Sequence, residues 1–136
     1  TYTSVEDMEL IKHYVKGAEC EVVFCLCPCA NLFIENRLPD IPMFIENGMK
    51  LTLGTDSLAS NWSLSVLEEM KTISKHFPKI PFEVLVAWAT KNGAEFLGME
   101  KEIGTIEKGK RPGLNLLQGM NEKFELSEKI SVQKVI

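Results

Sequence analysis

The sequence predicts an α/β fold built on a parallel sheet. Two short, continuous apolar runs, CEVVFCLC at 20–27 and MKLTLGT at 49–55, read as strands buried on both faces. Segments of helical period precede and follow each run, and strand–helix units in series favour parallel strands. From about Glu102 the texture changes to short alternating runs and glycine turns. Two parallel strands are too few for a self-sufficient sheet. The expectation is therefore the back end of a larger α/β domain.

The elements follow in order. TSVEDMELIKHYVKGAE reads as a helix, with Thr3 or Ser4 as its cap and Glu6 and Asp7 suiting its positive end. Met8, Ile11 and Val15 form its apolar stripe, and Gly17 ends it. Pro28 stops the first strand, because proline cannot donate to a ladder. A loop is expected from there through Pro39. DIPMFIENG reads as a short helix with Pro42 in its first turn and Gly48 at its end.

After the second strand, SLSVLEEMKTISKHF is a helix in which Ser65 and Glu68 have capping-box spacing. Its stripe is Leu64, Leu67, Met70 and Ile73 or Thr72. PFEVLVAWATKNGAEFLGM reads as a further helical stretch, started by Pro81 and broken at Gly93. The expected division is 1–101 and 102–136, the second part holding short strands such as those in KFELSEKISVQKVI.

Composition narrows the function. The 136 residues are 45% hydrophobic and 25% charged, ordinary for a globular chain. A net charge of −4 with dispersed lysines argues against a nucleic-acid surface. No apolar run approaches the ~20 residues that span a bilayer. No signal-peptide pattern is visible, and the first residue is Thr, so the start of the gene product is expected upstream. Free thiols suit a reducing cytoplasm.

Three cysteines, Cys25, Cys27 and Cys29, crowd one run, and Cys20 lies just before it. Structural zinc sites pair cysteines two to four residues apart and add a distant pair. Cys-x-Cys-x-Cys without such a pair reads better as small buried hydrophobes, with Cys27 or Cys29 lining a pocket at the strand end. His13 and His76 stand on separate helices without a partner histidine. No Gly-x-Ser-x-Gly elbow and no phosphate-cradling glycine loop occurs. The sharper signal is LTLGTDSLASN at 51–61, where an apolar strand runs straight into Asp56. A carboxylate at the C-terminal end of a parallel strand can bind a metal or act as a base. The residues alone leave open an Asp that only organises the turn or caps the next helix.

CPCANLF and GTDSLASN, in this order, resemble the last barrel strands of the amidohydrolase superfamily, in its deaminase and chlorohydrolase branch. Cys27, Pro28, Cys29, Ala30 and Asn31 match the loop after strand seven, with Ala30 where the family has Ser. Gly54, Thr55, Asp56, Ser60 and Asn61 match the strand-eight motif. ATKNGAEFLGM and IGTIEKGK look like the final barrel helix and the return to a small β-sandwich. Arg111, Pro112 and Gly113 depart from the family's Ala-Asp after the Gly-Lys.

The resemblance implies the C-terminal fragment of a TIM (β/α)8 barrel, strands seven and eight with flanking helices, plus short β-strands of the sandwich. It implies hydrolytic deamination, or dechlorination, of a heterocycle such as a purine, pyrimidine or triazine. It makes Asp56 a ligand of one divalent metal, zinc or iron, and the acceptor of a proton from water. Asn31, Ser57, Ser60 and Asn61 are the implied substrate-side residues. The family's metal-binding histidines, His-x-His on strand one and others on strands five and six, are absent. The chain alone is therefore expected to be inactive, with the metal absent or poorly bound. The expected partners are a small-molecule substrate and further copies of the chain, joined through open sheet edges, with no nucleic acid or membrane. The competing readings are a stand-alone α/β binding or regulatory domain and a cysteine-rich metal or redox module.

Overall fold

The computed structural model describes residues 2–17 and 21–136. Its elements run α1 (Val5–Val15), β1 (Val23–Leu26), α2 (Pro28–Glu35), α3 (Ile41–Glu46), β2 (Lys50–Leu53), α4 (Val66–His76), α5 (Phe82–Ala89), α6 (Lys91–Phe96), β3 (Asn115–Gln118) and β4 (Ser131–Lys134). The chain is mixed α/β, and β1 and β2 pair in parallel with Phe24 opposite Leu51 and Cys25 opposite Thr52. Cys20 lies outside the described residues.

Local chemistry explains most boundaries. Ser4 caps α1: its Oγ accepts the Asp7 N–H at 3.1 Å, and the Asp7 carboxylate accepts the Ser4 N–H at 2.8 Å. The two donors, otherwise orphaned at the helix start, are thus satisfied reciprocally. Asp40 caps α3 through the Met43 N–H at 3.1 Å. At α4 only half of the expected box forms. Ser65 Oγ accepts the Glu68 N–H at 3.4 Å, whereas the Glu68 carboxylate turns to Lys71 at 2.8 Å.

The core gathers one face of the strand pair. Leu26 and Leu51 pack with Met8 of α1, Ile41 and Phe44 of α3, Met70 and Ile73 of α4, and Leu85 and Trp88 of α5. Phe24 joins them edge-on to Phe44, ring centroids 4.8 Å apart. Strand alternation then sends Cys25 and Cys27 to the opposite face. Both strands were expected to be buried on both faces; β2 is, with Leu51 and Thr52 buried on opposite sides, whereas in β1 Cys25 is exposed and Cys27 half-buried.

Two other expectations are corrected. The loop expected from Pro28 to Pro39 is mostly helix: Pro28 ends β1 and also opens α2, where its fixed φ suits the first turn. Asn36, at φ 49°, closes that helix in the left-handed region. The stretch 81–99 breaks at Thr90, not at Gly93. Thr90 Oγ1 donates to Val86 O at 2.7 Å, and its backbone leaves the helical region at φ −136°, ψ −79°. The short strands expected in residues 102–136 are present as one antiparallel pair, β3 with β4, largely exposed.

Candidate functional site

The C-terminal ends of β1 and β2 lie side by side. The Gly54 N–H donates to Leu26 O at 2.9 Å, and the chain then turns through Thr55 and Asp56. Gly54 is needed for closeness: a Cβ there would meet Cys25 Sγ at 2.7 Å and Cys27 Sγ at 3.4 Å. Asp56 has φ 56°, a left-handed backbone that costs a non-glycine residue energy but that aspartate tolerates best. Its carboxylate is exposed and accepts the Ser60 hydroxyl at 2.7 Å. Ser60 Oγ also lies 3.0 Å from Ser57 Oγ and accepts the Ser57 N–H at 3.3 Å. Asp56, Ser57 and Ser60 therefore form one hydroxyl–carboxylate cluster.

Asn61 is buried at 3% exposure and is spent internally. Its Nδ2 donates to Thr55 O and to Glu69 Oε1, both at 2.7 Å, and its Oδ1 accepts the Ser63 N–H at 3.2 Å. Asn31 lies half-buried in the first turn of α2, its N–H on Cys27 O at 2.9 Å, and its carboxamide makes no hydrogen bond among the described residues. The structure thus brings Asp56, Ser57, Ser60 and Asn61 together in one turn and sets Asn31 on the neighbouring βα unit.

Sequence reasoning missed Glu69. This carboxylate is fully buried, and its Oε2 accepts the Cys29 N–H at 2.7 Å. The signal was present: Val66, Glu69, Met70 and Ile73 have the spacing of one helix face, so a charge interrupts an apolar stripe.

The thiols differ sharply. Cys25 is pulled down to about 6, chiefly by a hydrogen bond from the Cys27 thiol and secondarily by Thr52. Cys27 moves up in turn, because it holds the proton beside the Cys25 sulfur and is partly desolvated. Burial pushes Cys29 up to about 11, and its Sγ lies 3.1 Å from Thr72 Oγ1.

Asp56 offers one carboxylate towards a metal. Among the described residues no three His, Cys, Asp or Glu side chains converge, so this donor set does not by itself fit a catalytic metal centre. His76 Nδ1 lies 2.9 Å from Thr72 O, and both histidines are exposed. A separate cleft of about 740 Å³, lined by Val86, Thr90, Ile103, Pro112 and Leu114 among others, shares no lining residue with this turn. Among the described residues no helix is long and apolar enough to cross a membrane.

Comparison with known proteins fits this arrangement. The model of the amidohydrolase family matches residues 1–136. An adenosine deaminase of Helicobacter pylori is 31% identical over 132 residues, covering 95% of this chain and 31% of that protein. A 5-methylthioadenosine/S-adenosylhomocysteine deaminase of Halalkalibacterium halodurans is 40% identical over 92 residues, covering 62% of this chain and 20% of the relative. The crystal structure of Helicobacter pylori aminofutalosine deaminase superimposes with a TM-score of 0.68 at 30% identity, over 90% of this chain and 30% of that one. An adenosine deaminase from Xanthomonas campestris with bound zinc gives 0.63 at 27% identity, over 85% and 26%. This chain spans about a third or less of each relative's length. It belongs to the amidohydrolase family.

Proposed function

We propose that this chain is the C-terminal part of a hydrolytic deaminase barrel, acting on the ring amine of an adenine nucleoside. Residues 1–101 supply the last two βα units and residues 102–136 part of a small β-sandwich. The observation that carries the reading is Asp56, held on the end of β2 beside the end of β1, with its carboxylate steadied by Ser60. The relatives named as deaminases of adenosine, methylthioadenosine and 5′-deoxyadenosine favour deamination over dechlorination and adenosine-like compounds over other heterocycles.

In this reading Asp56 takes a proton from water as its oxygen bonds to the ring carbon and passes it to the amine, which leaves as ammonia when the C–N bond breaks; the water's other proton ends on the neighbouring ring nitrogen, leaving the oxo product. The amide of Asn61 is occupied by Thr55 and Glu69, so Asn61 holds the turn and offers its hydrogens to no substrate. Asn31, Ser57 and Ser60 are the polar groups that meet substrate. A divalent metal, zinc or iron, belongs to the reading, with Asp56 as one ligand. The described residues do not complete its site. The chain by itself is therefore inactive, and it associates through the open edges of its two-stranded sheet.

The test is ammonia release by the product of the complete reading frame, offered adenosine, 5′-methylthioadenosine and guanine in parallel. Turnover of an adenine nucleoside supports the reading. Turnover of none, by a folded and metal-supplemented protein, overturns it.

A further inference from the structure

Glu69 is a fully buried carboxylate that the proposed chemistry does not use. It stands on α4, yet both of its oxygens are committed to the rim, Oε2 to the Cys29 N–H and Oε1 to Asn61 Nδ2, each at 2.7 Å. The first bond answers a defect in α2. Cys27, at the cap position of that helix, makes no side-chain cap, so the Cys29 N–H would be an orphan donor at a positive helix end. The second bond reaches β2. Asn61 passes the constraint on to Thr55 O, the carbonyl immediately before the left-handed Asp56. A strained backbone persists only where its surroundings fix it. The fixing here runs through one acid that touches both strand ends.

We infer that Glu69 is the positioning residue of this rim: its carboxylate caps α2 and, through Asn61, holds the turn that aims Asp56. The inference rests on the reading of Asp56 given above. Glu69 touches no reacting atom, and its effect is carried entirely by the backbone at residues 29 and 55–56.

The test uses Glu69→Gln, which keeps size and removes the charge and one acceptor, against Leu85→Ala, a core variant that makes none of the network's hydrogen bonds. Hydrogen-exchange mass spectrometry at micromolar concentration compares segments 28–32, 54–62 and 82–89. Glu69→Gln is expected to speed exchange about tenfold in the first two segments, the loss of about one hydrogen bond, and to spare the third. Leu85→Ala should show the opposite bias. The carboxyl 13C signal of Asp56 should move in Glu69→Gln and stay in Leu85→Ala, a signature that a general loss of stability does not produce. If Glu69→Gln does not fold, scalar couplings across the hydrogen bonds from Cys29 N–H and Asn61 Nδ2 to the Glu69 carboxyl carbon decide the matter in the unaltered chain. Equal exchange changes in all segments, an unmoved Asp56 signal or missing couplings would overturn the inference. None of these readouts needs turnover, so they fail independently of the deaminase assay.

Discussion

Cys29 and Glu69 stand 40 residues apart and meet at 2.7 Å, a backbone N–H of one βα unit on the buried carboxylate of the next. The bond makes the two strand ends one mechanical unit, although their turns are far apart in sequence. Removing the acid leaves two buried donors, Cys29 N–H and Asn61 Nδ2, each worth about 1–3 kcal/mol when unsatisfied. Glu69→Ala should therefore destabilise the chain by about 2–6 kcal/mol in urea unfolding. A loss under ~0.5 kcal/mol, the range of ordinary surface changes, would show that water or neighbouring groups replace the carboxylate.

Leu85 sets the scale for the core. It is 1% exposed and packs in the cluster that joins both strands to α3, α4 and α5. Leu85→Ala should cost about 2–5 kcal/mol by lost transfer energy and an unfilled cavity. Thermal unfolding with an unchanged transition midpoint would refute this packing.

The sulfurs give a pH signature. Cys25 is exposed and held down to about 6 by the Cys27 thiol, so its thiolate forms as pH rises through that value. Its alkylation by iodoacetamide should rise between pH 5 and 7 and then level off, whereas an ordinary thiol keeps gaining up to ~8.5. Cys29, pushed up to about 11, should stay slow throughout. Peptide mapping reads the two sites separately, and equal rates at pH 7 would contradict the assignment.

Association is the fourth expectation. Trp62 and Phe33 stack edge to face at 5.3 Å and remain 63% and 46% exposed beside the rim. With two open strand edges, they should drive the isolated chain into dimers or larger species. Light scattering at ~100 μM, where such surfaces associate, checks this; a clean monomer would count against it.

The legible parts of the sequence were those where neighbours decide. Ser4 as the cap of α1 and α3 starting near Pro42 follow from local chemistry, and the parallel pairing of the two apolar runs from the order of strands and helices. α2 was missed because Pro28 carries two meanings, the end of a strand and the first turn of a helix, and only the former was read. The helix break fell at Thr90 and not Gly93 because a hydroxyl on Val86 O outweighed glycine's weaker propensity. Exposure of Cys25 was hidden because an apolar run does not say how many layers cover it. Around Asp56 the strand-end carboxylate was legible and Ser57 and Ser60 came only with the family resemblance; their hydroxyl–carboxylate cluster with Asp56 emerges from the folded turn. The use of Asn61 and Glu69 as internal braces was not, because their partners are set by tertiary structure.

Asp56 is proposed to carry the proton chemistry of a deaminase. The direct measurement is ammonia release from an adenine nucleoside by the complete gene product and by its Asp56→Asn variant, with metal content and folding matched. Asp56→Asn is expected to lose at least ~10²-fold in kcat, the lower range for removing a general base. Retention of wild-type kcat by Asp56→Asn would contradict it.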